Sequence, residues 1–224
     1  MLLPVLYSFR RCPYAMRARL ALLAAEQSVV LREVSLKQKP DAMLAISPKA
    51  TVPVLALANG QVIEESLQIM QWALAQNDPK KLLSPMGTRK EIMMALIEEA
   101  DTQFKHHLDR YKYGSRYSPQ EVDAHQDAGL QFLHKLDRHL TSTPFLFGDA
   151  PSLADIGIFP FVRQFAGVDR AWFDKTVPKT VINWLDGYLN TDVFAQVMHK
   201  YQPWTANDPV IVFPAMLPEN ADEV

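Results

Sequence analysis

The single cysteine of the chain, Cys12, follows a short apolar run and precedes a run of residues with strong helix propensity. Residues 5–9 are apolar and rich in aromatic side chains, a pattern that predicts a buried strand. Pro13 suits the first position of a helix, where a missing N–H group costs nothing. The thiol is therefore expected at a helix N-terminus, where unpaired N–H groups and the positive dipole end favour a thiolate. Many lone cysteines are only small buried hydrophobes, but this position predicts a reactive nucleophile.

The composition of the chain excludes several functional classes. With a formal net charge of −2 over 224 residues, nothing favours binding to nucleic acid or to an anionic membrane. One cysteine cannot form an intramolecular disulfide, which indicates a reducing compartment such as the cytoplasm. The charges of Arg10 and Arg11 follow the apolar start, whereas a signal peptide needs the opposite order. No apolar run approaches the roughly 18 residues of a membrane span.

The order of strand and helix patterns predicts an α+β protein with two domains. Residues 1–76 alternate strand and helix signals in the order βαβαββα, with Asn59-Gly60 marking a hairpin and Ser66 as the N-cap of the last helix. Residues 77–87 contain the breaker signals of a linker. Residues 88–224 form an all-helical domain, with further helices within 152–168 and 178–199. From Pro203 onward the chain is expected to be an irregular tail.

The six histidines do not match a metal-binding template. His106 and His107 are adjacent, and His134 and His139 are five residues apart, so neither pair has the i, i+4 spacing that places two ligands on one helix face. The sequence therefore predicts no metal site.

Four motifs follow one another along residues 5–76: Cys12-Pro13-Tyr14-Ala15, residues 36–40, Thr51-Val52-Pro53-Val54 and Glu64-Glu65-Ser66. A single motif would be weak evidence, whereas four in order at these spacings are specific. Together they resemble those of the glutathione S-transferase superfamily, and most closely its cysteine-type, omega-like bacterial members. The resemblance implies a thioredoxin-like N-terminal domain, a helical C-terminal domain and glutathione as co-substrate.

The resemblance also implies roles for individual residues around a bound glutathione. Pro53 would follow a cis peptide bond, and the backbone of Val52 would pair with the cysteinyl part of glutathione. Glu65 and Ser66 would hold the γ-glutamyl end, although a plain helix cap would explain the same pair. Lys39 would pair with the glycine carboxylate, with a solvated charge run as the alternative.

Two further groups of residues have a structural interpretation. Arg10, Arg11, Arg17 and Arg19 form a basic neighbourhood that could favour anionic glutathione, but a solvated helix face would explain them equally well. Ser152 and Asp155 have the N-cap and N3 spacing of a capping box. We expect Asp155 to serve folding rather than chemistry.

The resemblance implies a thioltransferase or dehydroascorbate-reductase type of enzyme in which Cys12 forms a mixed disulfide with glutathione. Ala15 occupies the place of the second cysteine of dithiol glutaredoxins, so a second glutathione would resolve that disulfide. The partners expected are a small electrophile or disulfide and a second copy of the chain. Two alternatives stay open: a conjugating enzyme that uses the hydroxyl of Tyr7 or Ser8, and a non-catalytic interaction protein of the same fold.

Overall fold

A mixed sheet forms the centre of the first of two units. In the computed structural model, which describes residues 2–84 and 86–214, the strands are β1 (Val5–Ser8), β2 (Val29–Glu33), β3 (Val54–Ala56), β4 (Val62–Ile63) and β5 (Val212–Phe213). Their order across the sheet is β4-β3-β1-β2-β5. β1 and β2 are parallel, whereas β1–β3, β3–β4 and β2–β5 are antiparallel.

Four helices belong to this unit: α1 (Pro13–Ala24), α2 (Asp41–Leu44), α3 (Ser66–Gln76) and α10 (Asp192–Val197). α1 carries alanine and leucine on almost every face, as expected of a buried helix. Ten of its 12 residues are buried. It packs against α3 and α10. The order of the first seven elements is βαβαββα, so the predicted thioredoxin-like topology of the N-terminal residues is confirmed.

The residues after Thr191 differ from their prediction. They were expected to belong to the helical domain and to end in an irregular tail, but residues 192–214 pack with the first unit. β5 pairs with the edge of β2, with Val29 opposite Phe213. The chain thereby covers a sheet edge whose backbone groups would otherwise lack partners. The acidic end of the predicted tail, residues 215–224, lies outside the described residues.

The second unit is helical, as predicted. Its helices are α4 (Met86–Glu99), α5 (Lys105–Lys112), α6 (Pro119–Leu140), α7 (Leu153–Ala166), α8 (Arg170–Thr176) and α9 (Lys179–Leu189). A π-helical turn over Ala100–Phe104 joins α4 to α5 without a break. α7 forms the centre of the unit, because 12 of its 14 residues are buried. Gly129 of α6 lets the ring of Phe165 approach so closely that a Cβ atom would lie 2.4 Å from it.

Two helix predictions in this part of the chain need correction. The helix expected within 178–199 is two helices, because α9 ends at Leu189 and α10 begins at Asp192. The second correction is α8, which lies between the two predicted helical stretches and was not predicted. Its N-cap is Asp169, whose side chain accepts a hydrogen bond from the Trp172 N–H.

Within residues 2–84 and 86–214, no helix combines the length and apolar composition needed to cross a bilayer.

The predicted capping box at the start of α7 is present and fully buried. Oδ2 of Asp155 accepts from the N–H and the hydroxyl of Ser152 at 2.8 and 2.5 Å. Oδ1 accepts from the N–H of Leu146 at 3.0 Å and from the indole of Trp184 at 2.9 Å. Burial raises the pKa of Asp155, and these four hydrogen bonds act in the opposite direction. The carboxylate therefore joins the loop before α7, the start of α7 and α9.

Replacing Asp155→Asn should destabilise the chain by about 2–3 kcal/mol, since an amide would turn one acceptor into a donor that faces two other donors in the interior. Urea denaturation of both forms measures the difference. Asp149→Asn is the matched control, because Asp149 is exposed in the same loop. An equal loss of unfolding free energy in both variants would contradict the structural role of Asp155.

Candidate active site

Cys12 lies at the junction between β1 and α1, as predicted. A tight turn closes after β1, with the Cys12 N–H donating to the carbonyl of Phe9 at 3.0 Å. Cys12 is then the N-cap residue of α1, with φ −73° and ψ 124°, and Pro13 is the first helical residue. The thiol is not part of a disulfide and is partly exposed. A partly exposed thiol at a helix N-terminus has the surroundings of a reactive cysteine.

The structure brings Cys12 against Val52, 40 residues later in the chain. The thiol lies 3.6 Å from the carbonyl oxygen of Val52, to which it donates a hydrogen bond. The peptide bond between Val52 and Pro53 is cis, as the resemblance predicts. Pro53 leads into β3, which pairs with β1. The segment expected to bind the cysteinyl backbone of glutathione therefore lies directly beside Cys12.

Glu65 and Ser66 lie at the N-terminus of α3, but the predicted N-cap is wrong. Glu65 is the N-cap residue, and Ser66 is the first residue of the helix. The Glu65 carboxylate is more than half exposed and forms an ion pair with Lys49. Sequence reasoning missed Lys49, because the loop that carries it comes close to Glu65 only in the folded chain.

Ser66 is buried and receives a hydrogen bond from Arg17. The Nε of Arg17 donates to the Ser66 Oγ at 3.0 Å, which joins α1 to the start of α3. Arg17 is 2% exposed, which rules out the solvated helix face as the interpretation of this residue. The two ends of the predicted binding surface, Cys12 and Ser66, are thus fixed to each other through one turn of α1.

Arg19 is also buried, again contrary to a solvated face. Its guanidinium donates to the hydroxyl of Ser8, to the Arg10 carbonyl at 2.8 Å and to the Val197 carbonyl at 3.2 Å. Burial lowers the pKa of Arg19 to about 10, while the negative charges of Glu33 and Cys12 act in the opposite direction. The charges of Arg19 and Cys12 therefore interact within the fold.

Lys39 follows a turn closed by a bridge between Ser35 and Gln38. It is half-buried, whereas Lys37 within the turn is exposed. The Lys39 ammonium makes no hydrogen bond or ion pair with the residues that the structure describes. It is therefore available to an external anion, and its role stays a prediction.

The two hydroxyls that a conjugating enzyme could use both accept hydrogen bonds from arginine side chains. Tyr7 is 2% exposed within an apolar cluster with Val34, Met43 and Val54, and its hydroxyl accepts from Arg32. Ser8 is fully buried and accepts from Arg19. Both residues are buried, in contrast to the partly exposed Cys12.

Two family models match the chain: the glutathione S-transferase N-terminal domain over residues 6–81 and the glutathione S-transferase C-terminal domain over residues 119–188. The chain is 25% identical over 165 residues to glutathione S-transferase omega-1 of Mus musculus, a match that covers 73% of this chain and 67% of the mouse protein.

Solved structures show the same fold. Glutathione transferase Omega 3C from Trametes versicolor superimposes with a TM-score of 0.76 at 20% identity, covering 89% of this chain and 90% of the fungal one. A family member from Pseudomonas fluorescens pf-5, which has two glutathione molecules bound, gives a TM-score of 0.74 at 17% identity, covering 88% and 92%. Because the two family models match consecutive parts of one chain, the protein belongs to the glutathione S-transferase superfamily, with an omega-like relationship.

Proposed function

We propose that the chain is a glutathione-dependent thiol transferase or reductase in which Cys12 is the nucleophile. The observation that carries this proposal is the position of the only thiol: partly exposed, at the N-terminus of α1 and 3.6 Å from the Val52 carbonyl. A thiolate there attacks a sulfur atom directly, whereas a hydroxyl could only stabilise the thiolate of glutathione.

Glutathione is the co-substrate, and it binds along the surface that Cys12, Val52, Glu65 and Ser66 form. The γ-glutamyl ammonium pairs with the exposed Glu65 carboxylate. Its carboxylate binds at the N-terminus of α3, an 11-residue helix whose first turn carries Ser66. The cysteinyl backbone pairs with Val52, which places the sulfur of glutathione near Cys12. Lys39 pairs with the glycine carboxylate.

The cycle has two exchange steps. The Cys12 thiolate attacks the glutathionyl sulfur of a mixed disulfide RS–SG, which forms a Cys12–SG disulfide and releases RS⁻. A second glutathione, as its thiolate, attacks the glutathionyl sulfur, so that GS–SG forms and the Cys12 thiolate returns. The proton lost by the second glutathione ends on RS⁻. The net reaction converts RS–SG and GSH into RSH and GS–SG.

Ala15 supports a cycle with a single protein thiol. It lies one turn after Cys12 and is fully buried, so the place of a second thiol in dithiol enzymes is filled by a methyl group. As Cys12 is the only cysteine, no other thiol of the chain can resolve the mixed disulfide. Such a cycle suits a reducing, cytoplasmic compartment with abundant glutathione. We further propose that the chain is a homodimer, as the family resemblance implies.

Cys12→Ala should abolish thioltransferase turnover while glutathione binding survives, because only the sulfur nucleophile is removed. The direct measurement is intact mass spectrometry after exposure to oxidised glutathione: wild type should gain one glutathionyl group, and Cys12→Ala none. Tyr7→Phe serves as the comparison, because it deletes the hydroxyl of the conjugating alternative. Turnover that survives in Cys12→Ala but disappears in Tyr7→Phe would overturn the assignment.

Lys39→Met should raise the KM for glutathione by about threefold to fivefold, as expected from loss of one partly exposed ion pair. The kcat should change little, because Lys39 contacts the end of glutathione remote from its sulfur. Lys37→Met is the matched control with the same change of charge two residues away. An equal rise in both variants would show a general charge effect instead of a specific contact.

A further inference from the structure

Three histidine side chains meet where α5 and α6 pack together in the helical unit. His106 and His107 lie near the start of α5, and His125 lies in the second turn of α6. One ring nitrogen from each lies within 4.8 Å of those of the other two. The Nδ1 atoms of His107 and His125 are 2.8 Å apart. The prediction of no metal template considered spacing within single helices, and it missed a cluster that needs two.

The contact between His107 and His125 limits how the two rings can be protonated. A separation of 2.8 Å between two ring nitrogens requires one to donate and the other to accept, so at least one ring is neutral. Neutral imidazole is the form that binds a metal ion.

The spacing of the nitrogens is close to that of a tetrahedral metal site. Zn–N bonds of about 2.0–2.1 Å at tetrahedral angles place ligand nitrogens about 3.3 Å apart. The observed separations, from 2.8 Å to at most 4.8 Å, bracket that value.

We propose that His106, His107 and His125 bind one late first-row divalent transition metal ion, with Zn²⁺ as the representative. Three imidazoles are the ligand set that zinc and its neighbours prefer, whereas Mg²⁺ and Ca²⁺ require oxygen ligands. The fourth position belongs to water, because His106 is exposed. His107 also borders a polar groove of about 270 Å³ that lies mainly between the π-helical turn and α6.

Two charged neighbours have opposite effects on the affinity of this site for a metal ion. Nη1 of Arg110 lies 3.0 Å from the Nδ1 of His106, so its positive charge opposes a bound dication. Glu121 lies one turn before His125 on α6, and its negative charge acts on His125 in the opposite sense. Removal of Arg110 should therefore increase metal affinity, an effect that damage to the fold would not produce.

The test is the affinity of the untagged full-length chain for Zn²⁺, measured by competition with a chromophoric chelator. All variants carry Cys12→Ala, because the thiolate is itself a zinc ligand. The parent should bind one Zn²⁺ per chain. His125→Ala should weaken binding at least about tenfold, the lower end of the loss seen even for outer-shell partners. Arg110→Gln should strengthen it several-fold.

Two further variants keep the result decisive. His134→Ala removes a histidine of the same helix α6 outside the cluster and should leave the affinity unchanged. His106→Ala changes an exposed side chain, so the variant folds and should still weaken binding. Absence of saturable binding at one equivalent, or an affinity unaffected by both His125→Ala and His106→Ala, would overturn the proposal. The thioltransferase proposal does not depend on this outcome, since it rests on other residues.

Discussion

The burial of Arg19 is the constraint on which the rest of the first unit depends. A guanidinium removed from water must have its donors satisfied, and Arg19 uses Ser8 of β1, the Arg10 carbonyl and the Val197 carbonyl of α10. These contacts set the turn that leads into Cys12. They also fasten the segment after Thr191 to the sheet, where β5 completes the edge of β2. The cation near the thiol is therefore part of the core, and its position does not depend on a flexible surface chain.

The helical unit is organised around a buried charge of the opposite sign. Asp155 accepts four hydrogen bonds, and both of its oxygens are saturated. This carboxylate fixes the start of α7, the most buried helix of the unit, against α9. In both units a charge in the interior thus selects one arrangement of the elements around it, because any other arrangement would leave buried donors or acceptors without partners.

Much of the fold could be predicted from residue patterns, and the errors have common physical causes. The βαβαββα order followed from apolar periodicity and an Asn-Gly turn, both of which are local signals. β5 has two residues, too few for a strand pattern, and it exists because β2 offers an open edge. Ser66 was assigned as N-cap on residue type alone, although backbone conformation gives that position to Glu65. α8 depends on a single capping aspartate and was likewise missed.

The candidate site shows the same division between local and tertiary information. The sequence by itself determined that one thiol would lie at a helix N-terminus, because a strand, a proline and a helix-forming run are neighbours in the chain. It also determined the Asp155 cap, whose first partner, Ser152, is three residues away. Only the tertiary structure decided that Val52 contacts Cys12, that Arg17 and Arg19 are buried, and that His125 joins His106 and His107. The contacts of Cys12 with Val52, Arg17 with Ser66, Arg19 with Val197 and His107 with His125 span 18 to 178 residues. No local pattern encodes contacts at such separations, since they are fixed by how the helices and strands pack.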